Sequence, residues 1–162
     1  MDAPSPRADL QRATETIDFV QRAIDLANRE MVAAGGPDVE QVLAYDLAHA
    51  ASAAATARSM LDYGAKGDAE AALTCAFVAD VVAEVSARTF GRERQWGLGD
   101  APFASVAPFV ATYRDPAFLS SLAETPGPRH LDGEFEMVQD TFRAFATKEI
   151  APRAEHVHRH NG

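Results

Sequence analysis

The sequence predicts an all-α protein: an up-down bundle of three long helices, then short proline-broken helices, then a C-terminal amphipathic helix. Three observations carry that prediction. Apolar residues recur at steps of three and four through most of the chain. Glycine-rich clusters punctuate the periodic runs, and no segment alternates as a half-buried strand does.

The first helix covers 9–34, with Leu10, Ala13, Ile17, Val20, Ile24, Ala27 and Met31 on its inner stripe. Asp18 with Arg22, and Asp25 with Arg29, are acid-before-base pairs one turn apart. Gly35 and Gly36 stop this helix and Pro37 bars its continuation. A second helix is expected from Asp38 to about Tyr63, Asp38 capping it and Gln41 completing a capping box. Val39, Val42, Leu43, Leu47, Ala50, Ala54 and Leu61 should face inward. The run from Ala48 to Ala57 is nearly all small side chains, which lets a neighbouring backbone come close.

GAKGD, 64–68, reads as a helix stop and a new cap. The third helix, 69–90, is apolar over most of its circumference (Leu73, Phe77, Val78, Val81, Val82, Val85), the signature of a central helix. Prolines break up 91–129, leaving short helices at 106–113 and 117–124, the latter with Asp115 as cap and Pro116 at its first position. Residues 1–8, with Pro4 and Pro6, read as a frayed leader.

Composition narrows the function. Hydrophobic residues at 47% are enough for a core, so global disorder is excluded. A net charge of −9 argues against non-specific nucleic-acid binding and against docking on anionic lipid. The lone Cys75, set among alanines, reads as a buried structural thiol in a reducing compartment. No apolar run is long enough to span a membrane and the N-terminus lacks a signal-peptide pattern, so a cytoplasmic location is expected.

Few side chains suggest chemistry. His156 and His160 share a helical face beside Glu155 and could hold zinc, but His158 points elsewhere, so a solvated or packing helix end is the plainer reading. Asp80 and Glu84 lie one turn apart, without the Glu-x-x-His pairs of di-metal bundles; Arg88 gives Glu84 an ordinary ion pair. Tyr45 and His49 suggest a buried hydrogen-bonded pair more than an acid/base couple. Arg92, Arg94 and Trp96 could grip a phosphate or an adenine; packing of the indole over the bundle end, with arginines on helical carbonyls, is the commoner use. Gly97-Leu-Gly99 lacks the third glycine and the preceding strand of a dinucleotide site. No catalytic, cofactor-binding or metal-binding residue is assigned.

The C-terminal stretch, EFEMVQDTFRAFATKEIAPRAEHVHRHN, is the most patterned part of the chain. Phe135, Val138, Phe142, Phe145, Ile150, Ala154 and Val157 fall along one face of a helix over 134–161. Pro152 lacks an amide proton and crowds the Lys148 carbonyl, which predicts a kink or restart near Ile150, with one or two turns after it. So large an amphipathic helix reads as the opening of a domain whose remainder lies elsewhere.

At Phe142, Arg143, Phe145, Ala146, Lys148, Glu149, Ile150, Pro152, Ala154 and Glu155 this stretch resembles the first helix of flavin-dependent acyl-CoA dehydrogenases, which ends in a similar K-E-I-x-P-x-A-E turn. The run from His156 to Asn161 is closer still to the (2S)-methylsuccinyl-CoA dehydrogenase branch, whose N-terminal helical extension the stretch from about Val39 to Leu131 also resembles. The resemblance implies a helical extension domain at 9–129 and the start of a dehydrogenase N-terminal helical domain at 130–162. It implies FAD and an acyl-CoA substrate for a full-length form only, with α-proton removal and β-hydride transfer to the flavin. The catalytic glutamate and the flavin and CoA contacts match no position here. The partners implied are the rest of the dehydrogenase body or a dimer mate, with the small-residue face of the extension covering a surface and favouring a dimer. A second reading is a free-standing helical interaction module that docks through Phe135, Phe142 and Phe145.

Overall fold

Residues 7–124 and 127–160 are described in a computed structural model of the chain. The chain divides into two compact units, Met1–Gly127 and Pro128–Gly162. Among the described residues there is helix and no strand, and three long helices pack together in the first unit. The all-α bundle expected from periodicity is what the chain forms.

Helix α1 (Leu10–Ala33) is capped by Asp9, whose carboxylate accepts from the Arg12 amide at 2.9 Å. Its predicted inner stripe faces the core, with Ala13, Ile17, Val20 and Ala27 fully buried. At its end Gly35 and Gly36 take φ of +114° and +86°. Their amides reach back to the carbonyls of Val32 and Met31, the paired bonds of a Schellman stop. The intrahelical pairs expected of α1 are replaced: Asp18 binds Arg58 of the next helix at 3.0 Å, and Asp25 accepts from Gln21. Arg7 and Ala8, expected to fray, are held instead; the Tyr113 hydroxyl donates to the Arg7 carbonyl and Ala8 packs on the core. The rest of the leader lies outside the described residues.

Helix α2 (Gln41–Gly64) begins three residues later than its expected cap. Asp38 does not close a capping box: Gln41 donates to its backbone carbonyl, and Glu40 occupies the cap position. Residues 37–40 form a turn after the glycine stop, which carries Val39 and Val42 round to solvent at 66% and 65% exposure. Leu43, Leu47, Ala50, Ala54 and Ala57 are buried. The small-residue run does what its side-chain sizes predict, bringing α2 against α1 and α3 (Asp68–Thr89).

The close approach explains Gly64. It is the last residue of α2 and not a left-handed stop; a Cβ there would sit 2.7 Å from Thr74 Oγ1 and 2.9 Å from Leu10 Cδ2. Thr74 itself donates across the interface to the Met60 carbonyl at 2.8 Å. The new cap at α3 is Gly67, with Asp68 and Glu70 in the first turn, where they complement the helix dipole. Helix α3 is central as predicted, packing on α1, α2, α4 (Ala107–Tyr113) and α5 (Pro116–Glu124), although Leu73 is half exposed. Asp115 caps α5 as expected, accepting from the amides of Ala117 and Phe118.

In the second unit, Asp132 caps α6 (Gly133–Phe145), accepting from the Phe135 amide at 3.0 Å. A π-helical turn (Ala146–Ile150) follows, and α7 (Ala151–His160) restarts after it. The cause is the predicted one. Pro152 cannot donate to Lys148, and the backbone widens one turn earlier, with the Ala151 amide bonding five residues back to Ala146. The restart runs for 10 residues, longer than expected. Its end at Asn161 lies outside the described residues.

Substitution Gly64→Ala should destabilise the bundle by about 1–3 kcal/mol, because the new methyl meets Thr74 and Leu10 inside a packed interface. Urea unfolding followed by helical circular dichroism checks this, and an unchanged midpoint would disprove the close approach.

Candidate docking surface

The first unit uses its charges internally. Asp46, 7% exposed, stands at the centre. Its Oδ1 accepts from Arg88 Nη1 at 3.0 Å and its Oδ2 from Arg92 Nη1 at 2.5 Å. Arg88 also grips Glu84 at 2.8 Å, the pair read from spacing, and the bond to Glu84 leads the effects that raise its pKa. Arg92 additionally donates to Gln95, and Gln95 donates to Glu40 at 2.8 Å. The chain from Gly91 to Trp96 is thereby tied to α2, and Trp96 is driven to 0% exposure at the bundle end. Arg92 is therefore anchored on a carboxylate, not on helical carbonyls and not free for phosphate. Sequence spacing could not find Asp46, since its partners lie 42 and 46 residues away.

The other constellations resolve similarly. Asp80 pairs with Arg114 at 2.8 Å, so the two carboxylates of α3 each hold an arginine. Tyr45 and His49 are not buried: their rings meet at 4.4 Å between centroids on an exposed face. His156 and His160 do share a face, ring on ring at 4.4 Å, with the His160 Nδ1 2.9 Å from the His156 carbonyl. Among the described residues no three His, Cys, Asp or Glu side chains converge as a metal site would need. Also among them, no helix is long and apolar enough to cross a membrane.

Cys75 is buried as predicted, and burial raises its pKa. The neighbouring Tyr113 hydroxyl is pushed up to about 12, chiefly by burial and then by the thiol and Asp9. Both groups are held neutral in the fold.

Several hollows flank α3, two of them at its C-terminal half. One, about 450 Å³, lies between α3 and α4 and is lined by Val82, Phe90, Phe103, Val106 and Val110, with Ser86 its one polar side chain. The other, about 610 Å³, carries Arg94 but sets Glu93 and Asp100 beside it. A flavin or CoA pyrophosphate needs convergent donors or cations. Neither of these two hollows supplies them.

What remains unused is apolar. No residue of α6 or α7 is buried. Phe135, Phe142 and Phe145 are 60%, 69% and 54% exposed, and Val138, Ile150 and Val157 about half. Their common stripe is flanked by pinned charges: Arg129 bonds Gln139 and Asp140, Arg153 bonds Glu149, and Arg159 bonds Glu155. A continuous run of large exposed side chains along one helix face marks a surface for another helix. Of the small-residue run on α2, Ala50, Ala54 and Ala57 are buried inside the bundle, while Ala48, Ala51, Ser52 and Ala55 are exposed. Compared with protein-family models, curated proteins and solved structures, the chain matches none.

Two predictions follow from this geometry. Asp46→Ala should cost about 2–3 kcal/mol, since it leaves two partly buried guanidinium groups without their carboxylate; denaturant unfolding read by Trp96 fluorescence tests it. Second, because the folded-state pKa values of Cys75 and Tyr113 lie above their unfolded values, the stability they add is complete at neutral pH. It is lost as pH rises from about 9 through about 12. A thermal-melting series in that window should show the decline, and Tyr113→Phe should flatten its upper part.

Proposed function

We propose that this chain acts by packing and not by chemistry, as a helical segment of the N-terminal part of an FAD-dependent acyl-CoA dehydrogenase similar to the methylsuccinyl-CoA branch. The observation that carries the proposal is the uncovered stripe from Phe135 to Val157, set on the stretch whose sequence resembles the first dehydrogenase helix. A helix of that kind is stable when a neighbouring element covers its apolar face. On this reading the cover is the dehydrogenase body, which would bring the FAD, the acyl-CoA site and the glutamate that removes the α-proton. The bundle of 9–129 would contribute rigidity and surface, with no acid/base group of its own.

A second reading has its own support. The bundle closes a core by itself, around Ile17, Leu43, Val78 and Trp96. Such a bundle suits a free-standing interaction module that presents the stripe to a partner protein.

The experiment is the intact mass of the native gene product with a visible absorbance scan. A mass several times 17.4 kDa with a flavin spectrum is the expected result. A colourless product of 17.4 kDa would overturn the dehydrogenase reading in favour of the module.

A further inference from the structure

We propose that the hollow between α1 and the start of α4 binds a phosphate group, gripped by Arg12 and Arg22 and seated on the hydroxyls of Thr16 and Ser105. The inference concerns the first unit alone and stands apart from whatever covers α6 and α7.

Arg12 and Arg22 are exceptions to the internal pairing of charges described above. Arg22 follows Asp18 by one turn, yet Asp18 turns to Arg58 at 3.0 Å and leaves it. Arg12 lies ten residues earlier, just under three turns of α1, so the two side chains approach the space between them from opposite ends. Both line one hollow of about 180 Å³. Among the described residues neither guanidinium has a hydrogen bond or an ion pair. Glu15 also lines the hollow, but its carboxylate accepts from Gln11 at 3.2 Å, and the lining carries one positive charge in excess.

The second observation is a hydroxyl. Thr16 lines the same hollow and is only 4% exposed. Thr14, Thr74, Thr89 and Thr112 each donate to the carbonyl four residues back, as helical threonines do. Thr16 does not, and among the described residues its hydroxyl has no hydrogen bond at all. A hydroxyl this buried is costly to leave unanswered, so its acceptor must come from within the hollow. The Ser105 hydroxyl, also without a hydrogen bond among the described residues, lines the hollow from the segment before α4.

These donors suit phosphate. Two guanidinium groups and two hydroxyls outnumber the two oxygens of a carboxylate, whereas a tetrahedral phosphate offers three acceptor oxygens in different directions. Phe19, Val106 and Phe109 form the remaining walls. Apolar walls thin the water around a bound charge and strengthen its attraction to the arginines. The volume admits a phosphate with the first atoms of its ester, and is too small for a whole nucleotide. A net charge of −9 turns the chain from anionic membranes, so the phosphate is one carried by a small molecule or the free ion.

The test is titration of the full chain with inorganic phosphate at fixed ionic strength, followed by backbone amide chemical shifts. Saturable shifts are expected around Thr16, Phe19 and Ser105. Arg12→Gln and Arg22→Gln should each weaken binding about 10-fold, and Thr16→Val about 5-fold. Arg29→Gln removes an exposed arginine of the same helix outside the hollow and should leave binding unchanged. The three arginines are exposed, so these variants should keep their helical circular dichroism. No saturable shift, shifts centred away from the hollow, or equal losses from Arg29→Gln and Arg22→Gln would each overturn the site. Glycerol 3-phosphate, as a second probe, separates the two sources while keeping the site. Tighter binding than inorganic phosphate assigns it to a phosphate ester; equal or weaker binding assigns it to the free ion.

Discussion

Asp46 is the constraint on which the first unit depends. A carboxylate this buried is tolerated only when its charge is answered, and two arginines answer it from different places in the chain. Arg88 comes from the last turn of α3, and Arg92 from the turn after Gly91. Fixing both on one α2 side chain determines where the chain goes when α3 ends. Gln95 then reaches Glu40, and Trp96 has no choice but to close the core. The clamp adds to the turn hydrogen bonds of this segment, among them Gln95 to Arg92 and Leu98 to Glu93.

The clamp also explains why the bundle offers so little chemistry. Catalytic groups need charges left incompletely satisfied or pKa values moved toward neutrality. Here the two carboxylates that look reactive in sequence are each met by an arginine, Asp80 by Arg114 and Glu84 by Arg88, and the buried Asp46 is met by two. Cys75 and Tyr113, both raised by burial, move away from neutral pH and so stay uncharged.

Local pattern was a good guide wherever the physics is local. The inner stripe of α1, the glycine stop at 35–36, the Asp115 cap and the break caused by Pro152 all depend on neighbours within a turn or two, and each is found. Where the deciding partner is distant, the sequence misleads. Asp18 forgoes Arg22 for Arg58. Asp38 yields the cap to Glu40 because 37–40 form a further turn, with the Val39 and Glu40 amides bonded to the Gly36 carbonyl. Gly64 looks like a stop yet is there for Thr74 and Leu10 to come close. Asp46, the most consequential polar residue, carries no local signature at all. The docking stripe, by contrast, was legible in full, since periodicity alone defines a helix face; only its width at the π turn needed the backbone.

That contrast bears on what the chain is for. The three long helices each bury an apolar face against the others, although Val39, Val42 and Tyr45 of α2 stay exposed. Helices α6 and α7 have a stripe of larger side chains that continues past Pro152 through a π turn, and none of it is buried. A solvated helix would gain nothing from staying in line across that break. A helix that meets another along its length gains a continuous seam.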